Sequence, residues 1–167
     1  MRRTHQPLKH VSVINSSLSG EMPIKHKDID REFSDFVDDG ISAIEKDIVG
    51  VFVKIGDYGY RLAVERGNYQ DRTGTLRSSI GYGVVANGRL VKSGGFQQFL
   101  SGSAGVSTGK DRLNELVSEV KRGYIALIFV AGAEHAMYVE SMGYDVMTFS
   151  EIECYHKAEE MINQLFK

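Results

Sequence analysis

The sequence has one cysteine, two prolines and no apolar run of bilayer length. Each scarcity excludes something. With Cys154 alone the chain closes no internal disulfide, which fits folding in a reducing compartment, and the thiol is read as a small hydrophobe buried on a helix. Both prolines, Pro7 and Pro23, fall within residues 1–27. The longest apolar run, Tyr124–Ala133, is about half of what a membrane-spanning helix needs. After Arg2 and Arg3 the apolar cluster Val11–Ile14 is too short for the core of a signal peptide. The expectation is a soluble, unexported protein with no membrane partner.

Charge of either sign is also modest, with a formal net charge of -2. That balance hides an asymmetry. Residues 1–27 hold five of the 20 Lys and Arg and one of the 22 Asp and Glu, so the rest of the chain carries -6. Affinity for nucleic acid comes mostly from neutralising phosphates, which an acidic body does poorly, so no sequence-specific nucleic-acid partner is expected. Residues 1–27 read as a flexible basic arm, and residues 28–167 as a single α+β domain.

From Ile29 onward apolar residues recur every three or four positions, through Phe33, Phe36, Val37, Ile41, Ile44, Ile48, Phe52, Ile55 and Leu62. This predicts a long amphipathic helix ending near Gly67. Asp28, Asp30, Glu32 and Asp35 crowd its first turns, where the helix dipole favours negative charge. Gly56 and Gly59 predict a bend or break. Asn87-Gly88, between two apolar stretches, predicts a two-residue hairpin turn that pairs Ala86 with Arg89, Val85 with Leu90 and Val84 with Val91. Ser93–Gly109, with five glycines and four serines, reads as a long loop. A second helix follows, capped by Ser107 or Thr108 and carrying Leu113, Leu116, Val117 and Val120 on one face. Tyr124–Ala131 reads as a central strand covered on both faces, and Asp145–Phe149 as a fourth, weaker strand. The last helix opens on Ser150 and Glu153 at capping-box spacing.

Most chemistry fails on inspection. Ala104–Asp111 approaches a phosphate-binding loop, but Asp111 stands where a magnesium-holding hydroxyl belongs and no buried strand leads in. No serine sits in a Gly-x-Ser-x-Gly elbow. His135 and Glu140, five apart, do not share a helix face and have no third ligand nearby. No catalytic residue, cofactor or metal is therefore expected. Another reading takes the chain as a small hydrolase or ligand-binding enzyme, with residues 93–109 a lid over His135 and Glu140.

Two segments together point elsewhere. Asp71–Tyr82 and Ala131–Gly143 resemble, in order and spacing, the two signature blocks of the gene-product-ten-like tail-component family of Hong Kong 97-type long-tailed bacteriophages. The first block is matched by Asp71, Thr73, Gly74, Leu76, Arg77, Ser79 and Ile80, and the second by Ala133, Glu134, Ala136, Tyr138, Val139, Glu140 and Gly143. His135 departs from the tyrosine usual in the family, and the proline common before the first block is absent. The resemblance covers about Ile29–Lys167, with residues 93–109 as an insertion.

The resemblance implies a structural protein of tail completion or head-tail joining, located in the virion and, during assembly, in the host cytoplasm. It implies a homo-oligomeric ring, usually sixfold, monomeric in solution until it meets a connector or head-closure protein on one side and a tail tube or terminator on the other. A ring subunit needs exposed anchors. Phe96, Phe99 and Leu100 are candidates, and Arg72 and Arg77 either pair with the acidic first helix or meet a neighbouring subunit.

Overall fold

The computed structural model describes residues 26–167, with side chains from residue 31 onward. The basic arm expected at the N-terminus lies outside the described residues except His26 and Lys27, which already belong to the first helix. The described residues divide into two units between Phe36 and Val37. The described part of the first is the opening of helix α1 (His26–Arg66), where residues 31–36 are all exposed. The second holds the rest of α1 and everything after it: α2 (Thr75–Ser78), β1 (Ile80–Ala86), β2 (Arg89–Gly95), α3 (Ser103–Glu119), β3 (Ile125–Ala131), α4 (Ala136–Ser141) and α5 (Thr148–Leu165).

The fold is α+β, with one antiparallel sheet of three strands in the order β2-β1-β3. Tyr82 on β1 sits opposite Phe129 on β3. Their rings meet at 6.4 Å between centroids on the sheet face that α1 and α5 cover. Leu127 and Phe129 there pack against Val51, Ile55 and Cys154. The other face belongs to α3, where Leu113 joins Phe96 and Val130 in a second core, with Ile128 packed against it. Burial pushes the Cys154 thiol up to about 11, with Glu153 adding to the shift.

Several expectations change. Within Tyr124–Ala131, β3 (Ile125–Ala131) does have apolar cover on both faces, but it is an edge strand, and the central strand is β1, buried from Ile80 to Val85. Asp145–Phe149 is no strand: α5 begins at Thr148, two residues before the expected cap, so the sheet has three strands rather than four. The Asn87-Gly88 turn forms, with φ 54 and 73, and sets Ala86 against Arg89 and Val85 against Leu90. The register then slips, so that Val84 faces Lys92 and Val91 is the extra residue of a bulge.

The expected break at Gly56 and Gly59 is absent, and α1 is continuous. These glycines serve close packing instead. A methyl group at Gly56 would enter the Tyr82 ring, and one at Gly59 would meet the Cys154 sulfur and the Phe129 ring. Helix propensity is given up so that α1 can lie directly on the sheet. The Tyr82 hydroxyl then reaches back to α1 and donates to Asp57 Oδ1 at 2.6 Å. Burial, followed by that carboxylate, strongly raises the phenol's pKa.

Candidate interaction site

The segment Asp71–Tyr82 leaves α1, makes one turn of helix and enters the central strand, and its polar residues are spent on that path. Thr73 Oγ1 lies 2.8 Å from Thr75 Oγ1 and accepts from the Thr75 amide, which starts α2. Gly74, at φ 76, takes a left-handed conformation, and a side chain there would strike the Phe99 carbonyl. Asp71 Oδ2 accepts the Arg77 amide at 2.7 Å. Leu76 and Ile80 are buried and seat the turn on the core.

Arg77 faces neither the acidic first half of α1 nor open solvent. Its guanidinium donates to the Gly67 carbonyl at 3.1 Å and stacks over the Tyr69 ring at 5.4 Å, so it locks the exit of α1 onto α2. Burial pushes the Tyr69 phenol up to about 12, with Arg77 opposing only part of the shift. Arg72 is exposed and makes no ion pair with a described residue.

Ser79 joins Asp71–Tyr82 to Ala131–Gly143. Its hydroxyl donates to the Leu76 carbonyl at 2.7 Å and accepts the Ala133 amide at 3.0 Å, while its carbonyl accepts the Gly132 amide at 3.1 Å. Segments 54 residues apart are thereby clamped through one buried side chain.

Within Ala131–Gly143, Glu140 is structural. Its Oε1 accepts the Met147 amide at 3.0 Å, the Thr148 amide at 2.9 Å and the Thr148 hydroxyl at 2.8 Å. A carboxylate from α4 thus caps α5 across Gly143, which has φ +86. Partial burial opposes ionisation, but these hydrogen bonds outweigh it and hold the carboxyl below its ordinary value of 4.5. The expected Ser150–Glu153 capping box is replaced: the Ser150 hydroxyl donates to Met147 O. Asn68 Oδ1, just past α1, accepts the Asp145 amide at 2.8 Å, which ties the first region to the second again.

An open groove of about 820 Å³ lies between the exit of α1, with Tyr69 and Arg72 on one wall, and α4 and the turn after it, with Tyr138, Val139, Met142 and Tyr144 on the other. Tyr138 is 65% exposed, and the neighbouring Met137, Met142 and Tyr144 are exposed as well. Exposed aromatics, methionines and a cation make a surface suited to protein contact. Sequence reasoning had identified Arg72 and Tyr138 but missed Tyr69, Met142 and Tyr144. Their signal was present only as aromatics and a methionine flanking the two blocks, with nothing to say that α4 would fold beside the exit of α1.

The other anchors divide. Phe96 is 7% exposed and belongs to the core beneath α3, so it is unavailable as an anchor. Phe99 is half-buried, its amide held by Ser78 Oγ at 2.8 Å. Leu100, 73% exposed with φ 48, stands on the surface. Residues 93–109 are a loop only in part: the first three finish β2, residues 96–102 connect, and the last seven open α3, which buries Gly105, Gly109 and Leu113. The phosphate-loop look-alike at Ala104–Asp111 is likewise helical. His135 and Glu134 are exposed beside α4, and no three His, Cys, Asp or Glu among the described residues are grouped to hold a metal. No family model, curated protein or solved structure matches the chain.

Proposed function

We propose that this chain is a structural component of the neck or tail of a long-tailed bacteriophage or prophage. It acts in tail completion or head-tail joining by assembling as a ring between connector and tail tube, and so resides in the virion. One observation supports this reading above the others. The two segments that resemble the signature blocks of the tail-component family are held together by structural residues (Ser79, Glu140, Asp71), and the groove beside them takes Arg72 from the first and Tyr138 and Met142 from the second. A ring subunit needs such a divided arrangement, because each copy must present a rigid surface that a neighbour or an adjoining ring can read. The enzyme reading gains no support, since ten of the 17 residues of the proposed lid belong to β2 and α3 and Glu140 is committed to capping α5.

The test is genetic and compositional. Particles from a phage or prophage encoding this chain should contain it in a fixed ratio to the tail-tube protein, and its deletion should leave filled heads and separate tails. Intact, infectious particles after deletion would overturn the proposal.

A further inference from the structure

Helix α1 carries a second surface, unrelated to the groove. From Val37 to Ile55 its apolar residues step by four and three: Val37, Ile41, Ile44, Ile48, Val51, Ile55. That is the seam of a coiled coil, with Ile41, Ile48 and Ile55 in one row and Val37, Ile44 and Val51 in the other. Val51 and Ile55 are buried against α5 and β3. Val37, Ile41 and Ile44 remain 39%, 51% and 48% exposed.

The reason is a mismatch of length. α5 runs antiparallel to α1: Phe149 meets Arg66, Cys154 meets Gly59, and Met161 and Ile162 join the cluster around Val51. Helix α5 ends at Leu165. Residues 37–48 of α1, about 18 Å of helix, therefore extend the same seam past the end of its partner.

The flanks of this open seam say what fits it. The positions beside the two rows are Asp38 and Glu45 on one side and Gly40 and Asp47 on the other. None of the three carboxylates makes an ion pair with another described residue, and the basic Lys46 lies on the far side of the helix. A second copy of this helix would set acid against acid, since these flanking positions select partners by charge. We infer that the open half of the seam docks an amphipathic helix of another protein whose apolar stripe is flanked by Lys or Arg. The inference is independent of the neck or tail assignment, because it rests on spacing, exposure and charge alone.

The test uses the full chain and two synthetic helical peptides of about three heptads, alike in their Ile and Leu seam but flanked by Lys in one and by Glu in the other. The Lys-flanked peptide should bind and weaken as salt rises, and the Glu-flanked peptide should bind at least about tenfold more weakly. Ile41→Asp should abolish binding, and the triple change Asp38→Lys, Glu45→Lys, Asp47→Lys should reverse the preference. All these positions are exposed or partly exposed, so circular dichroism should show the fold retained. Equal binding of both peptides, binding of neither, or self-association of the chain that Ile41→Asp removes would each overturn the inference.

Discussion

Replacing Ser79 with alanine removes one oxygen and should loosen the joint between Asp71–Tyr82 and Ala131–Gly143. In the native protein that oxygen donates to Leu76 O and accepts from the Ala133 amide, and Ser79 is wholly buried. A typical intramolecular hydrogen bond is worth about 0.5–1.5 kcal/mol net, and a buried donor left without a partner costs about 1–3 kcal/mol. The Ala133 amide would be such a donor, whereas the Leu76 carbonyl still accepts the Ser79 amide at 3.1 Å. The combined loss is then about 2–3 kcal/mol, or roughly 5–10 °C in Tm for a domain of this size. Urea unfolding followed by circular dichroism measures it, and the m-value should not change, because the surface exposed on unfolding does not. Ser118→Ala is the control, since its hydroxyl reaches only the exposed Glu115 carbonyl and its loss should stay within about 0.5 kcal/mol. If Ser79→Ala matched the control, the clamp between the two segments would not exist as described.

Two further perturbations separate packing from propensity and charge from shape. Gly56→Ala should destabilise by about 1–3 kcal/mol because its methyl group enters the Tyr82 ring. Gly40→Ala, with nothing within 4 Å, should stabilise by up to about 1 kcal/mol, and thermal melts of the pair should shift in opposite directions. Glu140→Gln keeps an acceptor oxygen but loses the charge. The Glu140 carboxyl is lowered below 4.5 in the folded state, so its contribution is full above that value and fades as the pH falls through the folded one. The variant should therefore be weaker than the native protein by about 1 kcal/mol near neutral pH, and the deficit should shrink as the pH is lowered through the folded-state value. A deficit constant across that range would refute the electrostatic part of the cap.

What the sequence made legible was mostly local. Asn87-Gly88 closed a hairpin because both residues tolerate positive φ, whatever surrounds them. The three- and four-residue spacing of α1 survived its glycines, because the apolar stripe outweighs four unfavourable residues over 41 positions. What failed was decided at a distance. Asp145–Thr148 has strand-like composition, but the Glu140 carboxylate and the Asn68 side chain take up its amides before a sheet can. The glycines of residues 93–109 resembled a loop, and two of them instead form the inner edge of α3 where it lies on Thr75 and Ser79. Phe96 looked like an anchor by the company of its neighbours, yet the bare face of Gly81 leaves room for its ring in the core. At the groove, Tyr138 was readable as a motif member and Arg72 as a candidate contact residue. The partners that complete it depended on α4 settling beside the exit of α1, which no local pattern encodes.

The most direct test of the account is imaging of particles assembled with Arg72→Glu and Tyr138→Asp, two exposed changes in the groove that leave Ser79, Asp71 and Glu140 untouched. The account predicts a folded protein with an unchanged melting temperature, together with heads and tails that fail to join. Normal joined particles carrying the double variant in its usual amount would contradict it.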